Sequence, residues 1–277
     1  MKKIPFFKYE AAGNDFILID RRDRKLPPNL AGCARSVCDR TRGIGADGLL
    51  AVERSRKADI RMRIFNADGS EAEMCGNGIR CVGVWAAGPG KTAKRSTVAV
   101  ETLAGVLVLT VAQDTVKVRM SDPVDIREHI VIPVDGKRQP ACFINIGVPH
   151  TVLFTKKLAA EDIDGGGRAI RYHTLFQPQG TNVNFVQVDS KNTIRIRTYE
   201  RGVEAETCAC GTGAVASAIM AALTNRLNRK KSYAVSVKTR GGDSLKVLFR
   251  RNGNSISQVY LAGAARLICK GTFFLGV

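Results

Sequence analysis

Aromatic residues are scarce in this 277-residue chain, at 6% with a single tryptophan, and histidine is scarcer, with three copies. The few aromatics do not interleave with the basic runs, so the stacking platform that single-strand nucleic-acid binders offer to bases is missing. The histidines (His129, His150, His173) are scattered, and the cysteine spacings Cys33-x4-Cys38, Cys75-x5-Cys81 and Cys208-x-Cys210 supply no paired C-x-x-C knuckle. No metal site is therefore expected. No window approaches ~18 uninterrupted apolar residues, so no membrane-spanning helix is expected. The apolar stretch behind Lys2 and Lys3 is too short for a secretory signal, and the expected location is cytoplasmic. Acidic side chains are also few, 25 against 43 basic ones, for a formal net charge of +18. The densest basic runs, Arg21-Arg22-Asp23-Arg24-Lys25, Arg54-Ser55-Arg56-Lys57 and Arg229-Lys230-Lys231, lie far apart in sequence. Such a field suits an anionic small substrate as well as a phosphate backbone. The partner expected is a small molecule, with neither nucleic acid nor membrane.

What the chain does have is eight cysteines and 27 glycines. In a chain this long without a secretory leader, cysteines point to catalytic or metal roles rather than to a disulfide scaffold. Two segments say nearly the same thing: Glu71-Ala72-Glu73-Met74-Cys75-Gly76-Asn77-Gly78, and Glu204-Ala205-Glu206-Thr207-Cys208-Ala209-Cys210-Gly211-Thr212-Gly213. Each sets a cysteine before Gly-x-Gly, and each is followed by small apolar residues.

The surrounding pattern is duplicated too. Stretches 4–9, 16–20, 48–53, 60–66, 97–101 and 105–120 read as strands, rich in Val, Ile and Leu and bounded by Gly, Asp or Asn. The second half repeats this at 142–147, 151–155, 182–189, 193–200, 233–238, 244–249 and 257–262. One strongly apolar helix is expected in each half, over 77–87 and 212–223. The second is apolar on nearly every face, which marks a buried helix. The expected fold is α/β of the α+β type, with two pseudo-symmetric domains. Each would be a mostly antiparallel, barrel-like sheet around a central buried helix, with the active site in the cleft between them. The expected domains are 1–122, joined by a returning segment 264–277, and 123–263. The stretch 121–140 reads as the boundary, and Asp164-Gly165-Gly166-Gly167 as a flexible loop.

Two motifs are decoys. Gly43-Ile44-Gly45-Ala46-Asp47-Gly48 matches G-x-G-x-x-G, but a polar segment precedes it and a strand follows, so it reads as a turn. Gly90-Lys91-Thr92 ends like a P-loop, yet Trp85 stands where the first glycine belongs.

A cysteine at the first turn of a helix meets unpaired backbone N–H groups and the positive end of the macrodipole, both of which favour thiolate. Two such helix starts aimed into one cleft would bind a carboxylate through backbone N–H groups. The thiols would then flank the α-carbon beside that carboxylate. One removes a proton from one face and the other returns a proton to the opposite face, inverting the centre. Cysteine suits both tasks because its reference pKa of about 8.5 lies close to neutrality.

The motifs carrying this chemistry resemble those of the diaminopimelate epimerase family. They run in order from Phe7-Lys8-Tyr9-Glu10-Ala11-Ala12-Gly13-Asn14-Asp15-Phe16 through Asn66-Ala67-Asp68-Gly69-Ser70-Glu71 to Cys75-Gly76-Asn77-Gly78-Ile79-Arg80-Cys81. Gly147-Val148-Pro149-His150, Gly180-Thr181-Asn182-Val183-Asn184-Phe185 and Tyr199-Glu200-Arg201-Gly202 follow, ending in Glu206 and Cys210-Gly211-Thr212-Gly213. The resemblance implies an isomerase that interconverts LL- and meso-2,6-diaminopimelate without a cofactor, in lysine and peptidoglycan-precursor biosynthesis. It implies Cys75 and Cys210 as the two bases, supported by His150 and Glu200. Asn14, Asn66, Asn182, Glu200 and Arg201 would contact the substrate, whose α-carboxylate would lie on the backbone of Gly76, Asn77, Gly211 and Thr212. A homodimer is left open.

The chain departs from the family pattern at Gly48, where many members carry glutamine, at Val148, where many carry asparagine, and at Glu10-Ala11-Ala12. These changes bear on the far end of the substrate rather than on the reaction. Rival readings are a racemase for proline, hydroxyproline or glutamate, a basic nucleic-acid-binding protein with structural cysteines, and a thiol redox protein. The last is disfavoured because neither key cysteine lies in C-x-x-C. Cys81 reads as a core residue, and Cys208 as a rival of Cys210 in oxidation. If the two key thiols share an empty cleft, oxidation joins Cys75 to Cys210 and abolishes activity. Peptide mapping of oxidised, inactive protein checks this, and both thiols recovered unlinked would count against it.

Overall fold

The computed structural model of the chain describes residues 2–22, 29–88, 96–134 and 136–275. Gly90-Lys91-Thr92, and Asp23, Arg24 and Lys25 of the first basic run, lie outside the described residues. The chain divides into two compact units, Met1–Val118 with Gly263–Val277, and Arg119–Ala262.

In the first unit the elements are β1 (Lys2–Ala11), β2 (Asn14–Asp20), α1 (Leu30–Cys38), β3 (Gly48–Glu53), β4 (Ile60–Asn66), β5 (Glu71–Ala72), α2 (Gly76–Ala87), β6 (Ser96–Thr102), β7 (Gly105–Ala112) and β8 (Thr115–Arg119). The second unit follows with β9 (Val124–Val134), β10 (Lys137–Asn145), β11 (Pro149–Phe154), α3 (Ile163–Arg171), β12 (Asn182–Ser190), β13 (Thr193–Glu200), β14 (Ala205–Thr207), α4 (Gly211–Leu223), β15 (Ser232–Lys238), β16 (Ser244–Asn252) and β17 (Ser255–Ala264). The last strand, β18 (Arg266–Leu275), pairs antiparallel with β1.

The strand order in the first unit is β18-β1-β2-β3-β4-β6-β7-β8, and every pairing is antiparallel except β2–β3 and β4–β6. The second unit runs β9-β10-β11-β12-β13-β15-β16-β17, with β11–β12 and β13–β15 the parallel pairs. Parallel neighbours need a crossover, and a helix supplies it each time. α1 and α3 serve the first parallel pair of each unit, and α2 and α4 the second.

The sheet of each unit curls around one helix. α2 contacts β1, β2, β3, β4, β6, β7 and β18, and α4 contacts β10, β11, β12, β13, β15 and β16. α4 has no polar face. Val215, Ile219, Met220 and Leu223 are at most 1% exposed, each contributing about 1.5–3 kcal/mol by burial. Its alanines let the surrounding strands approach closely. The opposite faces of the strands are covered by α1 and α3. Ile17, Ile19, Leu49 and Ala51 pack on α1, and Leu153, Val183, Phe185 and Tyr199 pack with the α3 side chains Ile163 and Ile170. Strands covered on both faces read as continuous apolar runs, which is why β2, β3 and β12 stand out in the sequence.

Four details depart from the sequence reading. Asp164-Gly165-Gly166-Gly167 is not a loop but lies in α3, capped by the Asp162 carboxylate, which accepts from Gly165 N–H at 2.9 Å. The stretch 121–140, read as the boundary, contains β9 and the start of β10, a hairpin that belongs to the second unit. The stretch 105–120 is broken into β7 and β8 by a turn at Gln113, whose φ is +54°. α1, not expected at all, precedes the Gly43–Gly48 turn, and β3 follows it, the reverse of a dinucleotide site.

The glycines of α3 differ in what surrounds them. A Cβ at residue 167 would lie 2.5 Å from Tyr199 Cβ, whereas one at residue 166 meets only Phe185 Cζ at 3.7 Å. Gly167→Ala is therefore expected to destabilise the protein by about 1–3 kcal/mol. Gly166→Ala is expected to stabilise it by up to about 1 kcal/mol through helix propensity. Urea denaturation of the two variants reads both signs.

Candidate active site

Both key cysteines are helix caps. Cys75 is extended (φ −135°, ψ 125°), and its Sγ accepts from Gly78 N–H at 3.5 Å. Cys210 is likewise extended (φ −114°, ψ 112°), with Sγ accepting from Gly213 N–H at 3.4 Å and lying 3.5 Å from Thr212 Oγ1. Each sulfur thus sits at the positive end of a buried helix, beside N–H groups of Gly76 and Asn77, or Gly211 and Thr212, that have no intrahelical partner. The capped glycine is required by its surroundings. A Cβ at residue 78 would press on Leu50 Cδ2 at 3.0 Å, and one at residue 213 would collide with Asn184 Oδ1.

The ladder registers put the two units in one frame. On β4, Phe65 faces Glu71, and on β13, Tyr199 faces Glu206. Arg63 and Arg197, each two residues earlier, clamp those glutamates through paired N–H···O bonds of 2.7 Å. Bidentate clamps of this kind fix both position and angle. Glu71 and Glu206 each stand four residues before the capping cysteine. That frame pairs Cys75 with Cys210 and leaves Cys208, which is exposed, outside it.

The same frame exposes a difference in chemistry. Phe16 is paired with Gly48, and Gly48 with Asn66, while Leu50 faces Ile64. The matching row in the second unit is His150 paired with Asn182, then Glu200 at the end of β13, with Asn184 facing Thr198. The wall beside α2 is thus Phe16, Leu50 and Ile64, and the wall beside α4 is His150, Asn184 and Thr198. Asn14 corresponds to Val148, so the polar residue of that pair lies in the first unit.

The polar wall is tightly bonded. His150 is fully buried, and its Nδ1 lies 3.1 Å from Asn184 Nδ2. Burial, with the nearby Arg201 charge, pushes its pKa down to about 3, so the ring is neutral. Its Nε2 has no hydrogen-bond partner among the described residues. Burial holds the Glu200 carboxyl above the usual carboxylate range, against hydrogen bonds from the Thr207 hydroxyl (2.9 Å) and the Cys210 thiol. Asn182 accepts from Arg201 N–H at 2.9 Å and donates to Pro149 O at 3.0 Å, fixing the turn that carries Arg201. Arg201 itself donates to Gln179 O at 2.9 Å.

In the first unit, Asn14 donates to Asp47 at 2.8 Å and Asn66 to Ser70 at 2.9 Å. Asn77 turns its side chain inward and accepts from the buried Arg80 guanidinium at 2.9 Å, leaving its backbone at the helix start. A Cβ at Gly48 would lie 2.8 Å from Phe65 O, so glycine there also suits close strand packing. Cys81 is fully buried, which pushes its thiol well up. Asn184, Thr198 and Thr207 were not expected from the sequence. The signal for Asn184 was present: it follows Asn182 by two in one strand, so both project from the same face.

The fold is shared with solved structures. A phenazine biosynthesis protein of the PhzF family from Bacillus anthracis matches 99% of this chain and 100% of its own, with TM-score 0.78 and 17% identity. A probable proline racemase from Agrobacterium radiobacter K84 matches 99% of this chain and 93% of its own, with TM-score 0.72 and 16% identity. At these identities the likeness is one of fold. The relationship in sequence is much nearer to a diaminopimelate epimerase from Aquifex aeolicus (strain VF5), 41% identical over 276 residues that cover 96% of each chain. The protein is an isomerase of the racemase and epimerase class. Within that class it belongs to the diaminopimelate epimerase family, whose sequence profile matches residues 6–126 and 142–268. Among the described residues no helix is long and apolar enough to cross a membrane.

The buried histidine has a consequence for stability. Its native pKa of about 3 lies below the ordinary 6.5, so the unfolded chain binds the extra proton. Stability is therefore expected to fall as pH drops below about 6.5, by up to about 1.4 kcal/mol per unit. A His150→Gln variant should lack this component. Urea midpoints at pH 7 and pH 5 for both proteins check it, and identical pH dependence would contradict it.

Proposed function

We propose that the protein epimerises LL-2,6-diaminopimelate to the meso form, and back, by a two-base mechanism without a cofactor. The observation that carries this reading is the repeated cap: in each unit one cysteine sulfur closes the start of a buried helix beside unpartnered N–H groups. In this reading the two helix starts serve one substrate molecule. The α-carboxylate lies on the N–H groups of Gly76, Asn77, Gly211 and Thr212, and the α-carbon lies between Cys75 and Cys210.

One cysteine acts as thiolate and takes the α-proton, becoming a thiol. The electron pair of the broken C–H bond moves into the carboxylate, giving an enolate-like intermediate that the fixed N–H dipoles stabilise. The other cysteine, a thiol, delivers its proton to the opposite face and becomes the thiolate. In that state the enzyme is set for the reverse reaction. Repeating the same direction requires the first thiol to give its proton to water and the second thiolate to take one from water. His150 and Glu200 support catalysis beside the cysteines, Glu200 through its hydrogen bond with the Cys210 thiol. Asn14, Asn66, Asn182, Glu200 and Arg201 hold the substrate's ammonium and far carboxylate, for which a guanidinium offers a two-point contact. The basic surface charge draws in a substrate with two carboxylates. The reaction belongs to lysine and cell-wall precursor synthesis, and the homodimer is an open assembly.

Deuterium wash-in at the α-carbon tests the reading. Wild type in heavy water is expected to label LL-diaminopimelate and to equilibrate it with the meso form. Cys75→Ser and Cys210→Ser should each slow this at least about 100-fold. Labelling of proline, hydroxyproline or glutamate without labelling of LL-diaminopimelate would overturn the substrate. Near-full activity in either serine variant would overturn the two-base assignment.

A further inference from the structure

Asn184 is fully buried in β12, and every hydrogen-bonding direction of its amide is defined. One side lies 3.0 Å from Thr151 O, a carbonyl that can only accept, so that side is Nδ2. The second Nδ2 hydrogen meets His150 Nδ1 at 3.1 Å, and Oδ1 accepts from the Thr198 hydroxyl at 3.0 Å. With both hydrogens of Nδ2 directed this way, His150 Nδ1 must accept, and the ring proton sits on Nε2. The same Asn184 Oδ1 reaches the first turn of α4. The point where a Cβ of residue 213 would stand is in collision with Oδ1 and only 3.3 Å from Cys210 Sγ. One amide therefore touches both the imidazole and the turn that Cys210 caps. The first unit has Leu50 at the corresponding place and Ile64 at that of Thr198, so the network belongs to the second unit alone.

We propose that Asn184 is a positioning residue that locks His150 as the neutral Nε2–H imidazole and ties it to the Cys210-capped turn. The charge that acts on the ring is that of Arg201, in the turn after β13, while Glu200 and Cys210 lie at the end of β13 and the start of α4. α4 itself carries no charge, and β10 presents Ile144 opposite His150. Neither of these two elements carries an acid that could hold an imidazolium in place of the amide. The kinetic consequence rests on the function proposed above; the tautomer does not.

Long-range 1H–15N spectra of histidine-labelled protein test it, with His129→Gln and His173→Gln to assign the signals. Wild-type His150 is expected as a single Nε2–H tautomer that does not titrate between pH 8 and pH 5. Asn184→Asp presents only acceptors to Nδ1, so the proton should move to Nδ1 and the ring should titrate in that range. Its kcat for diaminopimelate should fall roughly tenfold, the worth of about one hydrogen bond, with KM little changed. Thr198→Val leaves both Nδ2 hydrogens in place and should keep the wild-type tautomer. An Nδ1–H or imidazolium form in wild type overturns the proposal even if the variants do not fold. So does an Asn184→Asp spectrum with His150 unaltered. An Nε2–H wild type with no labelling of diaminopimelate supports the positioning role and sinks the function instead.

Discussion

A thiol caps a helix by accepting the N–H of the third helical residue, and in this protein that residue must also leave room for its neighbours. Gly78 and Gly213 meet that condition, and at both positions another group fills the space a methyl would take: Leu50 in one case, Asn184 in the other. The cap also requires a helix start that is buried, so that water does not compete for the N–H groups, yet open toward a ligand on the other side. The rest of each unit follows from that requirement. The sheet curls around the helix, the crossover delivers the chain to its first residue, and the Arg–Glu clamp fixes the hairpin just before the cysteine.

Duplication supplied two copies of this device, and their surroundings have diverged. The backbone frame is shared down to the order of parallel and antiparallel pairs, while the side chains against the two helices differ in kind. Beside α2 the wall is hydrocarbon, with Phe16, Leu50 and Ile64. Beside α4 it is an amide, an imidazole and a hydroxyl, each hydrogen-bonded. The inversion proposed above would set two like thiols against the two unlike faces of one centre. Identical backbones carrying unlike walls are suited to that task.

Much of the fold was legible because strands covered on both faces become uninterrupted apolar runs, and because α4 is apolar all round. The two caps were legible where they rested on backbone chemistry: Cys-Gly-x-Gly announces a cysteine at a helix start. What escaped was decided by tertiary contact. Three consecutive glycines argue against a helix, yet Gly167 lies in one because Tyr199 packs where a side chain would be. α1 has its buried residues Leu30, Cys33, Ala34, Val37 and Cys38 at helical spacing, but most are small, and the cluster around Leu49 and Phe65 holds it in place. Asn184 was overlooked because a single asparagine in a strand names no partner. Only the fold brings it to His150. The choice between Cys208 and Cys210 was made by motif and acquires its physical basis in the matched clamps Arg63–Glu71 and Arg197–Glu206.

The pairing of β18 with β1 sets an order on biosynthesis. Phe273 lies opposite Ile4, so the edge of the first unit joins the two ends of the described chain. Closing a loop that long costs only a little more entropy than closing one half its length, but it imposes a wait. The second unit is contiguous in sequence, from Arg119 to Ala262, and is fully synthesised before β18 leaves the ribosome. Vectorial synthesis ordinarily lets the N-terminal part of a chain fold first. Here the unit begun first is completed only after the second, and β1 keeps an unpaired edge until β18 has been made.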